Sequence, residues 1–367
     1  MFKIFNFKCF KIKIKNQPME NKTLLKSAIL MLVIVVITTA FCEISLRNKG
    51  IPISYDDGPP LWSNNRAMVY EPFDDAVVFI GSSRIKYDLD IPTWENLTGI
   101  HAVQLAVEGS NPRPALEDLA NDPNFNGRLI VDVTEGLFFS NGAPRDNTLN
   151  ANIKYFHDRT PAQQASFYLN KPLESQFIFL NKDYFSLNAQ LDGLEISSRP
   201  GVFMMPLFPM EFSNNTFERQ MFMTPNFLTD TILQIKVKAN WAFFASLRKG
   251  APPMPAAELA GIFKSVKTAT DKIKARGGEV LFVRTPSSGG YLQGEKMGFP
   301  REKYWNKLLA YTNCPGVYFL DYPEIAHFIC PEFSHLSQPD AEIYTMHLIA
   351  ILTKDKGWKL SNSKKIN

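Results

Sequence analysis

Ala76-Val-Val-Phe-Ile80-Gly81-Ser82-Ser83-Arg84 is the stretch on which the fold turns. Five consecutive apolar residues leave no polar face, so a strand here has to be covered on both sides, as in a parallel sheet. Gly81 permits a tight strand-to-helix turn, and a serine placed there presents its hydroxyl at the sheet edge. The same pattern recurs outward along the chain. His101-Ala-Val-Gln-Leu-Ala-Val107, Arg128-Leu-Ile-Val-Asp-Val133, Glu279-Val-Leu-Phe-Val-Arg-Thr285 and Gly316-Val-Tyr-Phe-Leu-Asp321 all read as strands. Helical patterns lie between and after them, over 112–119, 256–276, 301–312 and 339–352. Gly277-Gly278 stops the second of these, and Ser337 and Asp340 are spaced like a capping box before the last. Strands alternating with helices predict an α/β fold built on a doubly wound parallel sheet, a three-layer sandwich. In such sheets ligands bind beyond the C-terminal strand ends. Residues 140–255 break the rhythm. They are rich in Phe, Asn and Met and read as a helical insertion, clearest over 226–247.

The 367 residues are 45% hydrophobic and 21% charged, with a net charge of +4 that is unevenly spread. Residues 1–26 hold seven lysines against Glu20, for a charge of +6, and the remainder carries −2. A nucleic-acid binder would concentrate positive charge on its folded domain, so nucleic acid is not an expected partner. Next to the lysines, residues 27–42 contain no charge. Extended by Leu24, Leu25, Ile44 and Leu46, they approach the roughly 20 apolar residues that cross a bilayer. Upstream lysines predict a cytoplasmic N-terminus. A secretory signal cleaved after Ala40 is the rival reading, but its n-region would be unusually long. A buried core helix would leave the lysines unexplained. The expected map is a basic tail 1–26, a transmembrane anchor 27–44, a Pro/Gly-marked stalk 45–75 and an exported domain 76–360. On that topology Cys9 is cytoplasmic and Cys42 lies at the membrane edge. Cys314 and Cys330 enter an oxidising compartment, where a disulfide and two buried thiols are both open readings. No CxxC pair or Cys/His cluster points to a metal, and no cofactor is expected.

The chemistry is expected after the strands. Gly81-Ser-Ser-Arg84 follows the first and lacks the spacing of a phosphate loop. Cys330-Pro-Glu-Phe-Ser-His335 follows the fifth and places Glu332 three residues before His335. A carboxylate at that spacing can fix the imidazole tautomer and stabilise the imidazolium. His335 can then deprotonate Ser83, an otherwise weak nucleophile. His101, His157, His327 and His347 have no comparable partner after a strand and read as structural. Arg84 and Arg284, at or just past strand ends, can clamp a substrate carboxylate or phosphate, or form ion pairs within the domain.

These blocks, in their order and strand context, resemble the SGNH (GDSL-like) hydrolase superfamily over residues 76–140 and 278–350. Gly81-Ser82-Ser83 resembles the nucleophile block, Ala106-Val-Glu-Gly109 the second and Glu332-x-x-His335 the last. The resemblance implies Ser83 as nucleophile, His335 as base, Glu332 as its orienter, and the N–H groups of Ser83 and Gly109 as oxyanion donors. The sequence departs from the family pattern twice. Glutamate replaces the aspartate, and Val131-Asp-Val-Thr134-Glu135 has no asparagine where a third donor belongs. Thr134 can donate there; an ionised Glu135 would repel an oxyanion. Losing one such donor costs ~10²–10³ in rate.

Within the resemblance, anchored proteins of this architecture modify surface polymers with acetyl or D-alanyl groups. The implied function is an exported, membrane-anchored serine esterase or O-acyltransferase. Its substrate would be a cell-envelope glycan or an acyl carrier, beside partner proteins of polysaccharide modification. The alternative is a non-enzymatic subunit of an envelope-polysaccharide assembly, which the missing asparagine favours.

Overall fold

The computed structural model describes residues 21–143, 145–192, 194, 206–247, 250 and 254–360. The first twenty residues of the basic tail, Cys9 among them, lie outside the described residues, as do parts of the insertion. The chain forms two compact units, Met1–Gly50 and Ile51–Asn367.

The first unit is one helix, Asn21–Asn48, of 28 residues, longer at both ends than the expected 27–44. At 1.5 Å per residue it is about 42 Å long. Leu25 and the whole run from Ile29 to Ile37 are exposed, so apolar side chains surround the helix on every side. A helix without a polar face needs an apolar surrounding. Its Lys22–Asn48 portion is long and apolar enough to cross a membrane.

The second unit is α/β. Its strands are β1 (Ala76–Ile80), β2 (His101–Gln104), β3 (Arg128–Asp132), β4 (Asn214–Asn215), β5 (Met221–Phe222), β6 (Glu279–Arg284) and β7 (Gly316–Tyr318). Five of them form a parallel sheet in the order β2-β1-β3-β6-β7, and β4 and β5 pair as a small antiparallel hairpin. Alternate residues of each strand face opposite ways. Val78, Ile80, Leu129, Val131 and Phe282 pack with Leu116, Ile262, Phe263 and Leu308 on one face. Val77, Phe79, Ile130, Leu281 and Val283 pack with Ile85, Trp94, Tyr344 and Leu348 on the other. The winding reverses between β1 and β3, which makes the crevice beyond their C-terminal ends the natural site.

The ends of several elements differ from the sequence reading for local reasons. β2 stops at Gln104, although Leu105 N and Val107 N still bond to Phe79 O (2.8 Å) and Gly81 O (3.3 Å). β7 stops at Tyr318 and passes into a 3₁₀ turn, Phe319–Asp321. The helix expected over 226–247 is broken at Asp230 into Pro225–Thr229 and Thr231–Leu247. Asp230 Oδ1 accepts from Ile232 N at 2.8 Å and so starts the second piece. Ser337 caps Gln338–Lys354 as expected, but Asp340 takes the Ser337 hydroxyl at 2.7 Å rather than the backbone of a capping box.

The stretch read as a stalk is a correction. From Ile51 onward it belongs to the α/β unit. Pro59–Ala67 is a helix whose Trp62 is fully buried and donates to Leu105 O at 3.0 Å. Tyr55 N bonds Asn215 O at 3.0 Å and fastens the preceding segment to the small hairpin. Pro and Gly in this stretch mark the turns around a packed helix. Cys314 and Cys330 are free buried thiols. They belong to the core clusters on opposite faces of the sheet, which therefore separates them.

Candidate active site

Gly81 ends β1 where no side chain fits. A Cβ there would meet Ile85 Cγ2 at 2.6 Å and Asp132 Cβ at 2.7 Å. The close approach lets the chain turn at once into Ser83–Asp88, with Ser82 extended as its N-cap. Ser83 is the first helical residue and is half-buried.

The loop after β7 brings His335 to it. His335 Nε2 lies 2.8 Å from Ser83 Oγ, and His335 Nδ1 lies 2.9 Å from Glu332 Oε1. A carboxylate only accepts, so Nδ1 carries the proton and Nε2 is left to accept from the serine. Glu332 is fully buried and holds its own loop: Oε1 also accepts from His335 N (2.6 Å) and Ser334 N (3.2 Å). Oε2 accepts from the Trp241 indole N–H. Leu336 N bonds Asp88 Oδ1 at 2.9 Å, tying the loop to the end of the helix that carries Ser83. The rings of Tyr87, Phe212 and Trp241 surround the imidazole, with centroids 4.4, 5.7 and 5.9 Å away. Trp241 and Phe212 come from the insertion over 140–255.

Gly109 sits at φ +65°, a left-handed conformation that disfavours a side chain, in the loop after β2. That loop is held by buried charge. Arg219, from the insertion, donates to Gln104 O (2.7 Å) and Ala106 O (2.9 Å) and grips Asp57 with two nitrogens. Lys86 joins Asp57 (2.5 Å) to Glu108 (3.0 Å), and Arg145 closes on Glu108 at 2.5 Å. Burial would raise the Glu108 carboxyl, but Lys86 and Arg145 outweigh it and hold it down at about 2.

Thr134 follows β3 and is buried. Its Oγ1 donates to Asp132 Oδ2 at 3.1 Å and lies 2.8 Å from Ser82 Oγ. A hydroxyl has one proton, so Thr134 accepts from Ser82 and has none left for an oxyanion. Asp132 Oδ1 takes the Thr285 hydroxyl at 3.0 Å. Burial raises the Asp132 carboxyl despite Arg84 and these bonds. Burial also pushes Asp88 well above its ordinary range, against the Leu336 N–H and Arg84.

Arg84 and Arg284 are both fully buried. Arg84 pairs with Glu295, and Arg284 with Glu295 (2.5 Å) and Glu135 (3.1 Å). Arg284 also donates to Thr285 O (2.7 Å) and Ser287 Oγ (2.8 Å). Burial opposes the Glu295 charge, yet Arg84 and Arg284 keep its carboxyl below the ordinary range. The two arginines thus form ion pairs within the domain, behind the turn that carries Ser83. Glu135 turns its Oε1 onto Arg284.

Of the other histidines, His101 meets Glu71, His157 meets Asp118 and His327 meets Pro323 O. A small cleft, of about 40 Å³, is lined by Asn64, Arg159, Gln163, Tyr168 and their neighbours and shares no residue with Ser83, His335 and Glu332. No known family model and no curated protein matches the chain.

Proposed function

We propose that the protein is a membrane-anchored serine esterase or O-acyltransferase with an SGNH-like active site, exported to act on a cell-envelope glycan or an acyl-carrying lipid. The observation that carries this reading is the unbroken chain Ser83 Oγ to His335 Nε2 (2.8 Å) and His335 Nδ1 to Glu332 Oε1 (2.9 Å). Both distances are within the range for proton transfer between positioned groups.

Ser83 Oγ attacks the acyl carbonyl as its proton passes to His335 Nε2. Glu332 stabilises the imidazolium. The tetrahedral intermediate collapses when His335 returns the proton to the departing oxygen, leaving an acyl group on Ser83. Water, or a sugar hydroxyl, is deprotonated by the same nitrogen and releases the acyl group. The N–H groups of Ser83 and Gly109 hold the oxyanion, and the charge cluster around Glu108 keeps the Gly109 loop in place. The Asn21–Asn48 helix spans the bilayer, with the lysines on the cytoplasmic side. That tether keeps the catalytic unit beside its polymer and beside any partner of polysaccharide modification.

A weak or inactive subunit of an envelope-polysaccharide assembly is the second reading. The commitment of the Thr134 hydroxyl to Asp132 favours it, because one oxyanion donor is then missing. Labelling by a fluorophosphonate separates the two. The full chain in detergent is expected to label, and its Ser83→Ala variant not to. Equal labelling of both, or none in a folded wild type, removes the esterase reading.

A further inference from the structure

The insertion reaches the triad at one atom. The Trp241 indole N–H, on helix Thr231–Leu247, donates to Glu332 Oε2, 91 residues further along the chain. All the other donors to Glu332 converge on Oε1. Glu332 is fully buried, so without the indole Oε2 would be an anionic oxygen cut off from water. Such an atom is costly unless it accepts a hydrogen bond. The contact is built rather than incidental. Trp241 is wedged among Phe208 (5.0 Å between centroids), Phe244 (6.2 Å), Phe212 (6.3 Å) and Tyr291 (6.3 Å), besides His335. Asn240, the preceding residue, is buried and donates to Leu207 O at 3.1 Å, which fixes the helix rotation.

We infer that Trp241 is a positioning residue of the active site: its indole N–H fixes the orientation of Glu332, so that the insertion completes the triad. This rests on the serine-hydrolase reading. It adds that the acid, one methylene longer than an aspartate, depends on a donor from outside the sheet. Without the donor, Glu332 Oε2 has no partner and the carboxylate is free to turn, which loosens the hold of Oε1 on His335 Nδ1.

The test is the rate of fluorophosphonate labelling for the full chain in detergent, comparing wild type, Trp241→Phe and Phe244→Leu. Trp241→Phe keeps a ring and loses the donor; Phe244→Leu disturbs the same aromatic packing and keeps the donor. Trp241→Phe is expected to label about tenfold more slowly, the effect of one lost hydrogen bond to a charged group. Phe244→Leu should stay within about twofold of wild type. A Trp241→Phe rate equal to wild type, or an equal loss in Phe244→Leu, overturns the inference. If folded wild type does not label at all, the hydrolase reading fails, and the contact is still decided by indole proton NMR. The Trp241 resonance should lie downfield and move upfield in Glu332→Gln; no movement overturns the contact as well.

Discussion

Thr134 Oγ1 lies 3.1 Å from Asp132 Oδ2 and donates a hydrogen bond to that buried carboxyl. Thr134 is thereby part of the support beneath the site. Thr134→Val should destabilise the protein by about 1–3 kcal/mol, because Ser82 and Asp132 lose a partner in a dry place. Labelling by fluorophosphonate should change less than about threefold, against the ~10²–10³ expected of a lost oxyanion donor. Urea unfolding and labelling rates of the same preparation check both halves.

Glu108 offers a pH test with a definite sign. Its carboxyl is held at about 2 in the folded protein, against an ordinary 4.5. The stabilisation is therefore present above about pH 4.5 and is lost as pH falls toward 2. Glu108→Gln should cost about 2 kcal/mol at pH 7, the shift being discounted for a side chain that remains partly exposed. The gap to wild type should close on acidification through that window, as read by chemical unfolding at several pH values. A gap independent of pH would mean that shape rather than charge matters.

Asp88 has the opposite sign. Its folded-state carboxyl titrates well above the ordinary range, so the protonated form is the one the fold favours. Stability from it is complete below the ordinary value of about 3.8 and is lost as pH rises from there through the elevated folded value. Asp88→Asn imitates the protonated group and leaves an oxygen to accept from Leu336 N. The variant should match wild type in acid and exceed it in Tm at the alkaline end. Thermal unfolding between about pH 3 and about pH 9 tests this; a variant less stable throughout would refute it.

Trp62 separates a stalk from a folded segment. It is fully buried, with its indole N–H on Leu105 O. Trp62→Ala should cost about 3–5 kcal/mol, whereas a stalk residue in solvent would change stability by no more than about 0.5 kcal/mol. Urea midpoints of the two proteins decide it.

The central strands were legible because their signal is local. The run Ala76–Ile80 has no polar face, and the same holds for Leu129–Val131 and Val280–Val283. Ser83, His335 and Glu332 were legible because each follows such a strand, and because the Glu332–His335 spacing is a property of one loop. Residues 51–75 were misread because proline, glycine and acidic residues look alike whether they border a stalk or the turns around one buried helix. Arg84 and Arg284 could not be decided locally. Their partners, Glu295 and Glu135, stand 211 and 149 residues away in sequence.

By itself the amino-acid sequence determined the class of fold, the apolar N-terminal helix and the three residues of the Ser83–His335–Glu332 chain. These follow from hydrophobic period, charge distribution and short spacings. Only the tertiary structure decided what surrounds that chain. Asp57 meets Arg219 across 162 residues and Trp241 meets Glu332 across 91. No local pattern records such pairings, because a buried charge or an indole N–H is satisfied by whatever the fold brings within about 3 Å of it.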